Sequence, residues 1–283
     1  MKIAVTGYRG RLGSELLRRG GISIRSDIRN FNGLRDEIIS INPDVVINCA
    51  SNTQVDRFEE SKFYVENMTT NLDGVSNLCV VAEEQNIKLI HISTDYIFNG
   101  NKGAYKENKQ IGETPINAYG WCKLASEVIV SISYQGSDNF LVVRTTGLYS
   151  EKKQNDFFDL VLTSLEAGKT LKVTTELHGN QTYIPHLIDA LIYVSENQEI
   201  IRKHGVLHLG SEEVMSRYDF ALMIANVFGY NKDLLIPVKN KDITGWIAKR
   251  PKKAGLDTSL ARKIGVPIYT VLDGLKECKE NLQ

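Results

Sequence analysis

A tyrosine followed four residues later by a lysine can pass a proton to a carbonyl oxygen, provided both stand on one helix face, where positions i and i+4 are neighbours. Lowering a tyrosine pKa from about 10 to about 7 takes roughly 4 kcal/mol. An ammonium about 4 Å away supplies on that order at an effective dielectric of about 20. With a hydride source beside the carbonyl, such a pair would complete a reduction. The spacing alone selects nothing. With 12 Tyr and 21 Lys in 283 residues, chance gives about one such pair, and the chain has three: Tyr105/Lys109, Tyr119/Lys123 and Tyr149/Lys153.

Context separates them. Tyr105 lies in a polar stretch after Gly103, and Tyr149 ends a strand-like run and enters Ser-Glu-Lys-Lys. From Asn117 the chain reads NAYGWCKLASEVIVSI, with Trp121, Leu124, Ala125, Val128, Ile129 and Ile132 at helical spacing. Tyr119 and Lys123 fall on a face away from that stripe. Upstream, IKLIHIST reads as a strand ending in Ser93, Thr94 and Asp95. Parallel sheets place ligands beyond the carboxyl ends of their strands, which sets the Thr94 hydroxyl where a carbonyl oxygen would be bonded while Tyr119 protonates it.

A second motif opens the chain. Gly7-Tyr8-Arg9-Gly10-Arg11-Leu12-Gly13 follows an apolar run and enters a helical pattern, the setting in which a glycine turn cradles a pyrophosphate on a helix N-terminus. The Gly-x-x-Gly-x-x-Gly spacing resembles the short-chain dehydrogenase/reductases, and Asp27-Ile28 is similar to that family's Asp-apolar pair beside the adenine. GGISIRSD is short for a whole second strand and its loop, and no residue in it identifies itself as the ribose partner. Arg9 and Arg25 favour NADP(H) over NAD(H), since a guanidinium grips a phosphate bidentately.

The elements that must hold these residues alternate. KIAVTG, PDVVINCA, IKLIHIST and NFLVVRTT read as buried strands, and GRLGSELLRRG and NLDGVSNLCVVAEEQN as helices between them. That alternation predicts an α/β fold, a doubly wound parallel sheet of the Rossmann kind. Beyond about residue 150 the pattern becomes irregular: a helix at HLIDALIYVSEN, a strand at VLHLG and a helix at YDFALMIANVFG. We expect a dinucleotide-binding domain over 1–150 and a smaller C-terminal substrate lobe over 151–283 that returns some elements to the main sheet.

Composition sets the bounds. Lys+Arg and Asp+Glu balance at 34 each, so no net field draws the chain to nucleic acid or a membrane surface. The N-terminal apolar run is too short for a secretory signal, and no stretch approaches the roughly twenty residues of a spanning helix. The four cysteines are scattered and read as reduced thiols. No metal site is expected: His204 and His208 are four apart, but a turn and a strand follow His204. A cytoplasmic location is the expectation.

The residues together resemble one family, the dTDP-4-dehydrorhamnose reductases. The resemblance runs through INCASNTQVDRFEES, HISTDYIFNGNKGAYKEN, TPINAYGWCKLASE and RTTGLY to RPKKAGLDTSLARKIG, nearly the whole chain in order. It implies an extended reductase with Thr94, Tyr119 and Lys123 as its triad, NAD(P)H as hydride donor, and a nucleotide 4-keto-6-deoxysugar as substrate. It implies cofactor contacts at Gly7, Arg9, Gly10, Arg11, Leu12, Gly13, Asp27, Ile28, Ala50, Ser51, Asn52, Asn71 and Ser93, with Tyr119 and Lys123. Substrate contacts are implied at Asp95, Phe98, Thr145 and Thr146, and a homodimer is left open. Two segments depart from the family: Gly147 stands where an aromatic Trp is usual, and Gly179-Asn180-Gln181-Thr182 replaces Gly-x-Pro-Thr, with His186 at a position that is usually acidic. A sugar-nucleotide epimerase remains an alternative, as does a non-catalytic subunit like that of methionine adenosyltransferase. A 4,6-dehydratase would carry Asp-Glu after the threonine; here Asp95 is followed by Tyr96.

Overall fold

Successive side chains of a strand leave on opposite faces, and in this chain that alternation sorts the interior into two cores. In the computed structural model, which describes residues 1–108, 114–134, 138–153 and 155–282, β1 (Ile3–Thr6) sends Ala4 into one core and Val5 into the other. The first half continues through α1 (Arg11–Arg18), β2 (Ile22–Ser23), α2 (Phe31–Ile41), β3 (Val45–Asn48), α3 (Tyr64–Met68), α4 (Gly74–Glu84), β4 (Lys88–Thr94), α5 (Ala118–Ser133) and β5 (Phe140–Thr145). Val46, Leu89 and Val142 join Ala4 against α2, α4 and α5, while Ile47, Ile90 and Val143 join Val5 against α1 and later helices. Both faces are covered, as parallel sheets require.

The second half runs through α6 (Phe157–Glu166), β6 (Leu171–Thr174), β7 (His178–Asn180), α7 (Ile184–Glu196), α8 (Gln198–Lys203), β8 (Val206–His208), β9 (Val214–Ser216), α9 (Arg217–Phe228), β10 (Leu235–Val238), α10 (Ser259–Lys263) and α11 (Val271–Asn281). One strand returns: the main sheet is parallel throughout in the order β2-β1-β3-β4-β5-β8. Helices α7, α8 and α10 also return, packing Leu187, Leu191, Val194, Ile201 and Ala261 on the Val5 face. The rest forms a third core, where Phe158, Val161, Phe220, Ile224 and Leu275 surround Tyr149 and Tyr183. The second strand is only two residues long, which explains why the sequence after Gly21 looked too short to hold one. Among the described residues no helix is long and apolar enough to cross a membrane.

Helix α5 faces inward with its polar side. Tyr119, Lys123, Ser126 and Glu127 are buried, whereas Trp121, Val128 and Ile132 of the apolar stripe are 51%, 48% and 65% exposed. The surface it covers is itself polar, with His91 and Ser93 of β4 and Arg144 of β5, so the helix satisfies buried donors and acceptors there.

Candidate active site

The side chain of Asn117 caps α5, accepting from Gly120 N at 2.7 Å, and so fixes the first turn on which Tyr119 stands. The Tyr119 ring is held edge-on by Phe58 at 5.3 Å and Tyr96 at 5.7 Å. The hydroxyl of Thr94, the last residue of β4, lies beside the Tyr119 hydroxyl. Thr94 in turn donates to Asp95 Oδ1 at 3.1 Å and accepts from Tyr96 N at 3.3 Å. Burial pushes the Tyr119 phenol above its ordinary value, with the Thr94 hydroxyl opposing, so the group is held as an acid. Burial also raises Asp95, to about 7, against hydrogen bonds from Thr146 and Thr94 and the charge of Arg217. Thr94 and Asp95 are thus bonded to each other and share one cavity wall with Tyr119.

Lys123 lies deeper. Its Nζ donates to the carbonyl of Ile92 at 2.8 Å, and burial lowers its pKa to about 8 against the charge of Glu127. The group that draws the Tyr119 pKa down here is the Thr94 hydroxyl rather than the ammonium. Beside Lys123 sits a buried chain of polar groups. Asn48 Oδ1 accepts from Thr6 Oγ1 and Ala50 N, which leaves its Nδ2 to donate to His91 Nδ1 at 3.0 Å. The other ring nitrogen of His91 then carries the proton and donates to Ser126 Oγ at 3.0 Å, and Ser126 donates to the Lys123 carbonyl at 2.7 Å. Burial holds His91 far below its usual pKa, so the ring is neutral. Behind it, Glu127 pairs with Arg144 at 2.8 Å and accepts from Ser93 Oγ at 2.5 Å. The Ser93 hydroxyl is therefore spent beneath the site.

The glycine turn is built for close approach. A Cβ on Gly7, at φ +61°, would lie 2.6 Å from Ala50 N, and one on Gly13 would lie 2.3 Å from Gly7 O. Gly10 caps α1 with no side chain over the helix's first N–H groups. Gly7, Arg9, Gly10, Arg25, Asp27 and Ala50–Asn52 line a cavity of about 450 Å³, with Ile28 at its wall and packed into the core. Asp27 pairs with Arg29 at 2.5 Å. Asn71 sits on the π-helical turn between α3 and α4. It clamps the backbone of Asn52 twice, accepting from its N at 2.7 Å and donating to its O at 3.0 Å. Arg11 does not reach that cavity: it donates to Leu148 O at 2.6 Å and Asp156 Oδ2 at 2.5 Å, tying the turn to the second half of the chain. Leu12 is buried between the core and the neighbouring cavity.

That neighbour, about 510 Å³, shares Gly10, Cys49 and Ser51 with the first and brings together Thr94, Asp95, Tyr119, Lys123, Thr145 and Thr146. Thr145 Oγ1 is buried without a hydrogen-bond partner. Phe98 is not there. It stacks on Tyr105 at 4.2 Å, fully buried in a separate cluster with Ile97 and Leu256, because the turn Asp95–Ile97 rotates it away from the cavity. Of the competing tyrosines, Tyr105 donates to Asn99 Oδ1 at 2.9 Å; its partner Lys109 lies outside the described residues. Tyr149 is buried in the third core.

The whole chain, residues 1–283, matches the family model described as RmlD substrate binding domain. The chain belongs to the dTDP-4-dehydrorhamnose reductase family. One relative in it, the dTDP-4-dehydrorhamnose reductase of Aggregatibacter actinomycetemcomitans, is 30% identical over 286 residues, 94% of each chain. The hypothetical dTDP-4-dehydrorhamnose reductase of Sulfolobus tokodaii shares 33% identity at a TM-score of 0.82, over 97% of this chain and 99% of that one. The Bacillus anthracis dTDP-4-dehydrorhamnose reductase, solved in complex with NADP, superposes at a TM-score of 0.88 with 26% identity over 99% and 100%. Within this family frame, sequence reasoning missed the His91–Ser126 tether and Arg217. The latter lines the larger cavity from the first turn of α9, where its sequence context is that of an ordinary solvent-facing helix cation.

Proposed function

We propose that the chain reduces the keto group of a nucleotide-activated 4-keto-6-deoxysugar of the dTDP-4-dehydrorhamnose class, with NADPH as the favoured hydride donor. One observation carries the reading: Tyr119, Lys123 and the hydrogen-bonded pair Thr94–Asp95 line one cavity that shares Gly10, Cys49 and Ser51 with a glycine cradle too tight for a Cβ at Gly7 or Gly13. The cradle fits a dinucleotide, with Gly7, Gly10 and Gly13 at the pyrophosphate, Ala50, Ser51 and Asn52 along its path, and Asp27 and Ile28 at the adenine. Arg9 and Arg25 line the same cavity and supply guanidinium groups for a 2′-phosphate.

When bound, the nicotinamide supplies the hydride. Tyr119 donates its hydroxyl proton to the substrate oxygen, and its raised pKa keeps that proton in place until oxide character develops. Thr94 orients the phenol and the carbonyl together. Lys123, fixed by Ile92 O and by the Ser126 link to His91, holds the cofactor ribose side of the site. Asp95, Thr145 and Thr146 face the sugar, and Asn71 holds the Asn52 backbone in place. In this reading residues 1–150 bind the dinucleotide and 151–283 close over the sugar, in the cytoplasm, with assembly as a homodimer. Loss of NADPH absorbance on adding dTDP-4-dehydrorhamnose tests the reading. No loss, with tight NADPH binding intact, would remove this substrate class.

A further inference from the structure

Three cations line the larger cavity, and two are already engaged: Arg11 with Asp156, and Lys123 with the Ile92 carbonyl. The third, Arg217, has no carboxylate or carbonyl partner among the described residues. Its guanidinium is held only by aromatic rings, Phe157 at 4.9 Å and Trp246 at 5.8 Å. Asp95 is an acid whose charge acts on it without pairing to it, and burial raises the Asp95 pKa to about 7. Arg250 adds a second positive charge close by, although its own donors are spent on Asp56 at 2.7 and 3.0 Å. A half-buried, fork-shaped cation with open donors is suited to a bidentate oxyanion.

The surroundings continue the same sign. Trp246 touches both Arg217 and Arg250, and it also lines an adjoining cavity of about 580 Å³. Lys241, Lys249, Arg250, Lys252 and Lys253 border that cavity, with no acidic residue among its described lining. Arg250 lines this cavity and its neighbour in sequence, Pro251, lines the larger one. Lys252 pairs with Glu176 and Arg250 with Asp56, so a ligand whose reacting sugar lies at Tyr119 and whose charged part extends past Arg217 meets the remaining charges of Lys241, Lys249 and Lys253.

We propose that Arg217 binds the diphosphate of the nucleotide sugar and is the residue that selects a nucleoside diphosphate over an uncharged sugar or nucleoside. This rests on the reductase reading above and names the group that recognises its substrate.

The test is calorimetric binding of dTDP and of thymidine to the NADPH-loaded protein. We expect wild type to prefer dTDP strongly, and Arg217→Gln to lose about 10- to 100-fold in dTDP affinity with thymidine and NADPH affinities within about two-fold of wild type. Arg217→Lys, which keeps the charge but not the fork, should recover part of the loss. If Arg217→Gln binds dTDP like wild type, or loses dTDP and thymidine equally, the assignment is overturned. A variant that shifts only the pH profile would make Arg217 a partner of Asp95 instead, and would also overturn it. If wild type itself binds no dTDP, the nucleotide-sugar reading falls together with this one. If it binds dTDP with unchanged selectivity in both variants, only the role of Arg217 falls.

Discussion

Gln181 places its carboxamide oxygen 3.1 Å from the point where a side chain on Gly147 would begin. The Asn180 carbonyl is closer still, at 2.1 Å, and Gly147 sits at φ +62°. The two departures from the family pattern are therefore one structural feature. Thr182 N donates to Gly147 O at 3.0 Å and Tyr149 N to Thr182 O at 3.0 Å, which draws the two segments too close for any side chain between them.

Gly147→Ala should consequently destabilise the fold, by about 1–3 kcal/mol from the left-handed backbone alone and more from the clash. Gly147→Trp should do worse. Thermal melts measure it. Because the obstruction is mainly backbone, Gly147→Ala combined with Gln181→Gly should melt no higher than Gly147→Ala alone, and full recovery in the double variant would contradict the geometry.

Tyr119→Phe removes the proton donor while leaving the ring between Phe58 and Tyr96. Turnover should fall by orders of magnitude, with NADPH affinity nearly unchanged. Tyr105→Phe and Tyr149→Phe are the matched controls for activity. They should differ in stability: Tyr105 loses its bond to Asn99, whereas the Tyr149 hydroxyl is buried without a partner, so its removal should be neutral or stabilising by up to about 1 kcal/mol. Wild-type turnover in Tyr119→Phe would move the proton donor elsewhere, whereas no turnover in either protein would favour the binding-subunit alternative.

Asp95 links stability to pH. Its folded pKa, about 7, lies above the ordinary aspartate value, so the native chain binds the proton more tightly than the unfolded one. The stability this contributes is complete below about pH 4 and is lost as pH rises through about 7. Asp95→Asn removes that dependence. The unfolding free energy of the variant relative to wild type, followed by denaturant melts, should rise between about pH 4 and 7, by on the order of a few kcal/mol at most. A difference that stays constant across that range would place Asp95 in a more polar setting than its burial among Thr94, Thr146, Tyr96, Tyr119 and Arg217 implies.

The glycine turn and the helix carrying Tyr119 were legible because each is local: a strand, a spacing and a helix within some fifteen residues. Thr94 followed from the rule that ligands gather beyond strand ends. Phe98 was misplaced because adjacency in sequence says nothing about a tight turn that reverses a side chain two residues later. Ser93 and Arg11 have the right residue types at the right place, yet their donors are claimed by Glu127 and Asp156, partners 34 and 145 residues away. The apolar stripe of α5 misled in a similar way. A helix buries whichever face its neighbours can satisfy, and here those neighbours are His91, Ser93 and Arg144. Arg217 had no local mark, since its significance comes from Phe157, Trp246 and the lack of a paired carboxylate among the described residues, all set by the packing of the chain.

The sheet ends on β2, of two residues, and on β8, of three. A sheet's outermost strands are where a foreign chain can attach by backbone pairing, and the danger grows with the length of ladder on offer. Two residues at one margin and three at the other give an incoming strand almost nothing to zip onto. The brevity that hid the second strand from sequence inspection thus also guards a highly apolar parallel sheet against edge-to-edge aggregation.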